Sequence, residues 1–314
     1  MRDTATMTQR MKLGVDGPEC SRIIAGFWRL KEWGMSPDQL HGFVHECLDM
    51  GVTTMDHADI YGDYTCEWIF GDALSAGETR IPDSLRNRMQ IVTKCGIRLQ
   101  HSRTRPGIQH QHYNTDARYI VKAVETSLEN LHTDYIDVLL IHRPDALMNA
   151  DETAGAFEQL RKAGKVRHFG VSNFTLSQLT LLQSQLPFSL VANQIECSVM
   201  SINPLHDGTL DQCQELHIAP MAWSPLAGGR LFAESSERAE RLQTVLGSIG
   251  GDAGGLGIDQ VALSWLLQHP SGIFPVLGTG KLERVQAAVE AMDIALSREQ
   301  WYRIWSASTG TPVP

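Results

Sequence analysis

Eight times between residues 21 and 292 a short apolar run gives way to a helix-like stretch. That alternation restricts the fold more than any other property of the chain. The runs fall at residues 21–26, 52–56, 91–94, 136–142, 166–171, 190–195, 218–223 and 273–277. They are short and continuously apolar, which suits strands covered on both faces of a parallel sheet rather than strands with one wet side. Strands separated by helices imply parallel pairing. Eight such units in a chain of 314 residues fit an α/β fold of the closed (β/α)8 barrel type better than an open sheet. Two additions are expected. Residues 11–15 and 19–22, around Asp16-Gly17, read as an N-terminal β-hairpin, and Ser297 caps an extra C-terminal helix over residues 298–306.

The helices carry their own punctuation. Ser36-Pro37 starts one as cap and first turn. Thr115 is the expected cap of another, ending near Leu131, and Gly164 closes a third. Residues 1–10 read as a frayed tail, and residues 97–114 as a long loop rich in His and Arg. The 234–257 stretch, ending in SIGGDAGGLG, reads as a helix over 237–246 followed by a mobile loop over the barrel mouth; a plain solvent loop fits its composition equally. No break in composition divides the chain, so residues 1–314 are expected to be one domain.

Composition excludes several classes. Apolar residues form 42% of the chain, enough for a large core, and the net charge of −9 argues against a nucleic-acid partner. No run reaches the ~18 apolar residues that a membrane span needs. MRDTATMTQRMK lacks the apolar centre of a secretory signal. The six cysteines form no C-x-x-C pair and read as reduced thiols of a cytoplasmic protein. His101, His110 and His112 share one loop at a spacing that fits no compact metal site, so no metal is expected.

The residues that could do chemistry cluster at strand ends. Asp56 ends the second run, Tyr61 follows five residues on, Lys94 ends the third run and His142 the fourth. In a barrel of this kind the reacting groups lie at the C-terminal ends of the strands. A phenol ionises near 10, and a buried lysine beside it favours the phenolate. Each of the four alone has a structural reading, as a turn cap, a solvated lysine, a packed ring or a strand-end imidazole. Together on adjacent strand ends they point to proton transfer.

MDHADIYG, IVTKCG, IDVLLIHRPD, GVSNF, NQIE and AWSPLAGGRL, in this order and spacing, resemble the aldo-keto reductase superfamily, and HRPDALM with GTGKLERV resembles its bacterial YdhF-type oxidoreductases. The resemblance spans residues 21–292. It implies reduction of an aldehyde or ketone by NADPH, with Tyr61 as proton donor, Lys94 and Asp56 tuning it, and His142 orienting the carbonyl. It places the nicotinamide against Trp28, Ser172, Asn173, Gln194 and Trp223, the last where many members have a stacked Tyr. Ser224, Leu226, Gly228 and Arg230 would meet the pyrophosphate. Gly278, Thr279, Gly280, Lys281 and Arg284, leading into a helix, would hold a 2′-phosphate. Ala287 and Ala288 stand where Glu and Asn commonly meet adenine. Trp28, His57 and Arg143 are the candidate substrate contacts. The partner is then a small carbonyl compound, with the protein a monomer or weak homo-oligomer. A regulatory barrel that holds the cofactor but acts mainly through a protein partner, like the channel-associated members, is the other reading.

Overall fold

The structure, a computed structural model, describes residues 7–313. Strands β1 (Arg10–Lys12) and β2 (Glu19–Ser21) form an antiparallel hairpin. Strands β3 (Ile24–Gly26), β4 (Thr54–Asp56) and β5 (Gln90–Cys95) follow. A two-residue ladder, β6 (Ile97–Arg98) with β7 (His112–Tyr113), crosses the long loop. Then come β8 (Ile136–Ile141), β9 (Val166–Ser172), β10 (Ala192–Glu196), β11 (Ala219–Trp223) and β12 (Phe274–Leu277). Strands β3-β4-β5-β8-β9-β10-β11-β12 pair in parallel in that order, and β12 closes on β3. This is the eight-stranded barrel the alternation predicts, with helices between its strands.

The two-residue period of a strand decides what the barrel contains. Ile24, Val92, Val138, Leu140, Met221 and Phe274 share one buried interior cluster, which Leu13 and Cys20 of the hairpin region join. Met55, Ile91 and Leu277 face outward to one set of helices, Cys95, Ile141 and Val171 to another, and Ile195 and Ala222 to a third. Each fully buried aliphatic side chain contributes roughly 1.5–3 kcal/mol. Counting by two from the interior residues, Lys94 falls inward after Val92, His142 after Leu140, Gln194 after Ala192 and Trp223 after Met221. Asp56 and Ser172 likewise alternate with outward Met55 and Val171. The packing that forms the barrel therefore turns the polar strand-end residues into its mouth.

Local signals account for several helix starts. Ser36 and Gln39 form a capping box ahead of the Pro37–Asp49 helix, and Ser297 and Gln300 one ahead of Arg298–Thr309. Asn149 accepts from the amides of Asp151 and Glu152 at the start of Ala150–Lys162. Three expectations change. Thr115 is not a cap: its hydroxyl donates to Asp145 Oδ2 at 3.0 Å, and the helix Ala117–Asn130 starts after Asp116. The helix expected over 237–246 runs on to Asp252 through the glycines that suggested a loop. Leu242, Leu246 and Ile249 bury one side of it beside Ile304 and Ala307 of the last helix, and a β-carbon at Gly250 would lie 2.3 Å from Leu256 O. Tertiary packing outweighs the glycines' poor helix propensity there. Finally, the expected tail overlaps the described chain at residues 7–10. There the Thr8 amide donates to Met50 O and Arg10 opens β1, so these residues belong to the fold.

Candidate active site

Lys94 is fully buried, and its ammonium donates three hydrogen bonds: to Asp56 Oδ2 at 2.8 Å, to the His57 carbonyl at 2.7 Å and to Tyr61 OH at 3.0 Å. The other Asp56 oxygen accepts from Gln194 Nε2 at 2.9 Å. The carboxylate is therefore held from two strands across the barrel and aims one oxygen at the lysine. Burial works against the Lys94 charge, but Asp56 and Tyr61 outweigh it and keep the ammonium above its ordinary range. Burial pushes the Tyr61 phenol above its ordinary 10, while Lys94 pulls the other way and wins back only part of the shift.

His142 packs its ring edge-on against Tyr61, with centroids 5.8 Å apart. Its Nδ1 is buried without a partner. Burial, with the charges of Lys94 and Arg143, holds this imidazole well below its ordinary range, so it is neutral at physiological pH. The structure thus gathers Asp56, Tyr61, Lys94 and His142 at one point of the mouth.

A polar chain leads from there around the rim. Ser172 Oγ donates to the Gln194 carbonyl at 2.9 Å, Asn173 Nδ2 to Ser172 Oγ at 2.7 Å and Trp223 Nε1 to Asn173 Oδ1 at 3.0 Å. Asn173 holds φ at 59°, which Asn tolerates better than most residues. The Arg143 guanidinium lies 5.6 Å from the centre of the half-buried Trp223 ring. Trp28 is exposed on the loop after β3, beside Arg29, which donates to Gly228 O at 3.3 Å and ties that loop to the one after β11. Ser224 and Leu226 are half-buried at the base of the β11 loop.

His57 does not reach the mouth. It is fully buried, stacked on Phe27 at 4.6 Å and edge-on to Phe70 at 4.4 Å, with both ring nitrogens unpartnered. Burial, then the Lys94 charge, lowers it to about 3. It follows inward-facing Asp56, so strand alternation turns it outward into the helix layer; only its carbonyl serves Lys94. It is not a substrate contact. On the Leu282–Glu290 helix Ala288 is buried and Ala287 half-buried.

Two features fit a dinucleotide phosphate. The Leu282–Glu290 helix begins at Lys281 with no side-chain cap, leaving its first amides free of side-chain acceptors, while Lys281 and Arg284 are exposed beside it. On the β11 loop, Gly228 and Gly229 hold φ of 66° and 95° next to exposed Arg230, whose Nη2 lies 3.6 Å from Glu196 Oε1. Gly278 has open space where a β-carbon would sit, whereas at Gly280 one would lie 2.7 Å from the Trp33 ring, so packing requires that glycine. Thr279 Oγ1 accepts from the Lys281 amide. The residues present fit the group.

Sequence reasoning missed the His57 carbonyl, Glu196, Arg29 and the turn after Tyr61. There Gly62, Asp63 and Tyr64 all hold positive φ, at a cost of roughly 1–2 kcal/mol for each non-glycine residue. Only Gly62 gave a signal. Among the described residues no three His, Cys, Asp or Glu side chains gather as metal ligands, and no helix is long and apolar enough to cross a membrane.

Residues 22–309 match the model of the aldo/keto reductase family. The chain is similar to oxidoreductase YdhF of Escherichia coli (strain K12), 50% identical over 98% of this chain and 100% of that one. It is 42% identical to a 6-dehydroglucose reductase of Agrobacterium fabrum, over 97% of this chain and 99% of the relative. Among solved structures it resembles the thermostable aldo-keto reductase Tm1743, crystallised with the inhibitor epalrestat. That likeness has a TM-score of 0.77 and 25% identity, over 95% of this chain and 99% of that chain.

Proposed function

Because this chain belongs to the aldo/keto reductase family, we propose that its mouth reduces a small aldehyde or ketone at the expense of NADPH, with Tyr61 as the proton donor. The observation that carries the reading is the Lys94 ammonium, which donates at once to Asp56 and to the Tyr61 hydroxyl. When bound, the dinucleotide supplies the hydride.

The chain's own residues do the rest. As hydride reaches the carbonyl carbon, negative charge gathers on oxygen, and a proton has to meet it. The phenol, raised by burial, keeps its proton at neutral pH until that charge appears. Giving the proton up leaves a phenolate 3.0 Å from Lys94 Nζ, where a charge-assisted hydrogen bond is strongest. Asp56, held by Gln194, keeps the ammonium charged and pointed. Neutral His142, beside the Tyr61 ring, can donate to the same oxygen and fix the carbonyl's direction. Trp223 offers an indole face for the nicotinamide, and Ser172, Asn173 and Gln194 a polar edge for its carboxamide. Ser224, Leu226, Gly228 and Arg230 line the pyrophosphate's path. The uncapped helix with Gly278, Thr279, Gly280, Lys281 and Arg284 takes the 2′-phosphate and favours NADPH over NADH. Trp28 and Arg143 border the substrate. The six cysteines are unpaired and buried, and burial pushes Cys20, Cys47, Cys197 and Cys213 up to about 12, which suits inert thiols in the cytoplasm.

The test is consumption of NADPH with sugar aldehydes, small dicarbonyls and aromatic aldehydes. Tyr61→Phe should abolish turnover while leaving cofactor binding nearly unchanged, and near-normal turnover by this variant would remove the phenol from the mechanism. Arg284→Ala should weaken NADPH far more than NADH. Equal use of both cofactors by the wild type would remove the phosphate contact.

A further inference from the structure

The chain leaves Tyr61 through Gly62, Asp63 and Tyr64, with φ of 59°, 59° and 64°. Three left-handed residues in succession, one of them aromatic, are rare because a β-carbon crowds the following carbonyl there. Such a segment persists only where its surroundings over-determine it. Here they do so from two sides. Thr65 Oγ1 donates to Gly62 O at 2.6 Å, and a β-carbon at Gly62 would meet Cys66 Sγ at 2.6 Å. From the other side comes a single stretch of the long loop, residues 97–105. Tyr64 OH donates to Ile97 O at 3.4 Å and accepts from the Leu99 amide at 3.2 Å. Asp63 Oδ2 accepts from the Arg103 amide at 2.9 Å, and Thr104 Oγ1 donates to Asp63 O at 2.6 Å. The Arg105 guanidinium sits 4.1 Å from the centre of the Tyr64 ring, and its own amide is held by Ser102 Oγ.

We infer that residues 97–105 form a clamp whose hold on Asp63 and Tyr64 fixes the direction in which Tyr61 leaves the chain, and so the contact between its hydroxyl and Lys94. Asp63, Tyr64 and Thr104 are positioning residues, and none of them touches the reacting atoms. The inference rests on the reading of Tyr61 as proton donor. Released from the clamp, residues 63 and 64 relax toward the ordinary φ regions, the chain turns differently after Tyr61, and the phenol leaves the ammonium. A reacting group misplaced by an ångström costs about a hundredfold in rate.

Three variants test it. Asp63→Ala removes the carboxylate and puts a residue averse to positive φ in the turn. Asp63→Asn keeps an oxygen for the Arg103 amide and tolerates the left-handed region. Thr104→Val removes one tie from an exposed position outside the turn and settles the question should Asp63→Ala fail to fold. The expected result is a fall in kcat for Asp63→Ala of more than tenfold, within the range a misplaced group allows. Cofactor Kd should be unchanged, Asp63→Asn should keep most of the activity, and Thr104→Val should lose an intermediate amount. The alkaline limb of the kcat profile should shift in Asp63→Ala, because the phenol changes both its burial, which raises it, and its contact with Lys94, which lowers it, whereas a merely structural defect would reduce amplitude without moving the limb. Wild-type kcat and an unmoved limb in Asp63→Ala and Thr104→Val, with Tyr61→Phe inactive, would overturn the clamp and leave the proton donor standing. An active Tyr61→Phe would overturn both.

Discussion

Replacing Asp56 by Asn tests the electrostatics of the site without changing its shape. In the wild type the carboxylate and the ammonium meet at 2.8 Å with almost no exposure on either side. Asn keeps an oxygen for Lys94 or Gln194 but carries no charge. A buried ammonium left without its counter-ion costs about 3–5 kcal/mol. The protein can lessen that cost by releasing the proton, since burial is the first influence on Lys94 and acts to lower it. The sign of the pH dependence then reverses. In the wild type Lys94 is raised above its unfolded value near 10.5, so its contribution to stability is complete below that pH and is lost as pH rises from there through the raised value. In Asp56→Asn the folded chain holds the lysine proton more weakly than the unfolded chain. Unfolding therefore takes up a proton below about 10.5, and stability rises with pH by up to about 1.4 kcal/mol per unit until that value. Urea unfolding between neutral and mildly alkaline pH measures this directly, with turnover on the same samples. The expected outcome is a large loss at neutral pH that is partly recovered on the alkaline side, and turnover down by two orders of magnitude or more, as about 3 kcal/mol in a barrier implies. A variant that unfolds like the wild type across this range would refute the argument, because the carboxylate would not then be what holds the buried charge.

Other expectations are smaller. His57→Leu removes two unpartnered buried nitrogens, worth about 1–3 kcal/mol, at the expense of a stacked aromatic pair worth about 0.5–1.5 kcal/mol. Thermal melting should hold or rise by a few degrees, with turnover near wild type; a collapse of kcat would give the ring a role beyond packing. Asp59 is pushed up to about 8 by burial and then by Glu67, with Tyr119 OH 3.4 Å from Oδ2. Its folded value lies above its unfolded one, so its contribution to stability is complete below about pH 4 and is lost as pH rises through about 8. Asp59→Asn should flatten that slope in urea unfolding and be the more stable protein at pH 8. An unchanged slope would move the proton elsewhere.

The barrel was legible because its signal is repeated. Each short apolar run needed only to be recognised as a strand, and the two-residue period then turned Asp56, Lys94, His142, Ser172, Gln194 and Trp223 inward together. The same period explains the failure at His57. Adjacency to Asp56 suggested the mouth, but neighbours on a strand face opposite ways. Boundaries were weaker where packing overrules propensity, as in the Glu237–Asp252 helix, one of whose glycines, Gly250, packs closely against Leu256. The turn after Tyr61 was illegible for a different reason. Its conformation is held by Thr104 and Leu99, 41 and 35 residues away from their partners, through bonds that each pair a side chain with a main-chain atom, and main-chain partners leave no mark on residue type.

From the indole nitrogen of Trp223 hydrogen bonds pass through Asn173 and Ser172 to the main-chain carbonyl of Gln194, and from the side-chain amide of the same residue through Asp56 and Lys94 to the Tyr61 hydroxyl. Opposite banks of the opening are thus wired to one another. Recutting the wall at position 223 to admit a bulkier guest would then disturb the setting of the Tyr61 hydroxyl on the far bank as well, which is a reason to vary the two positions together.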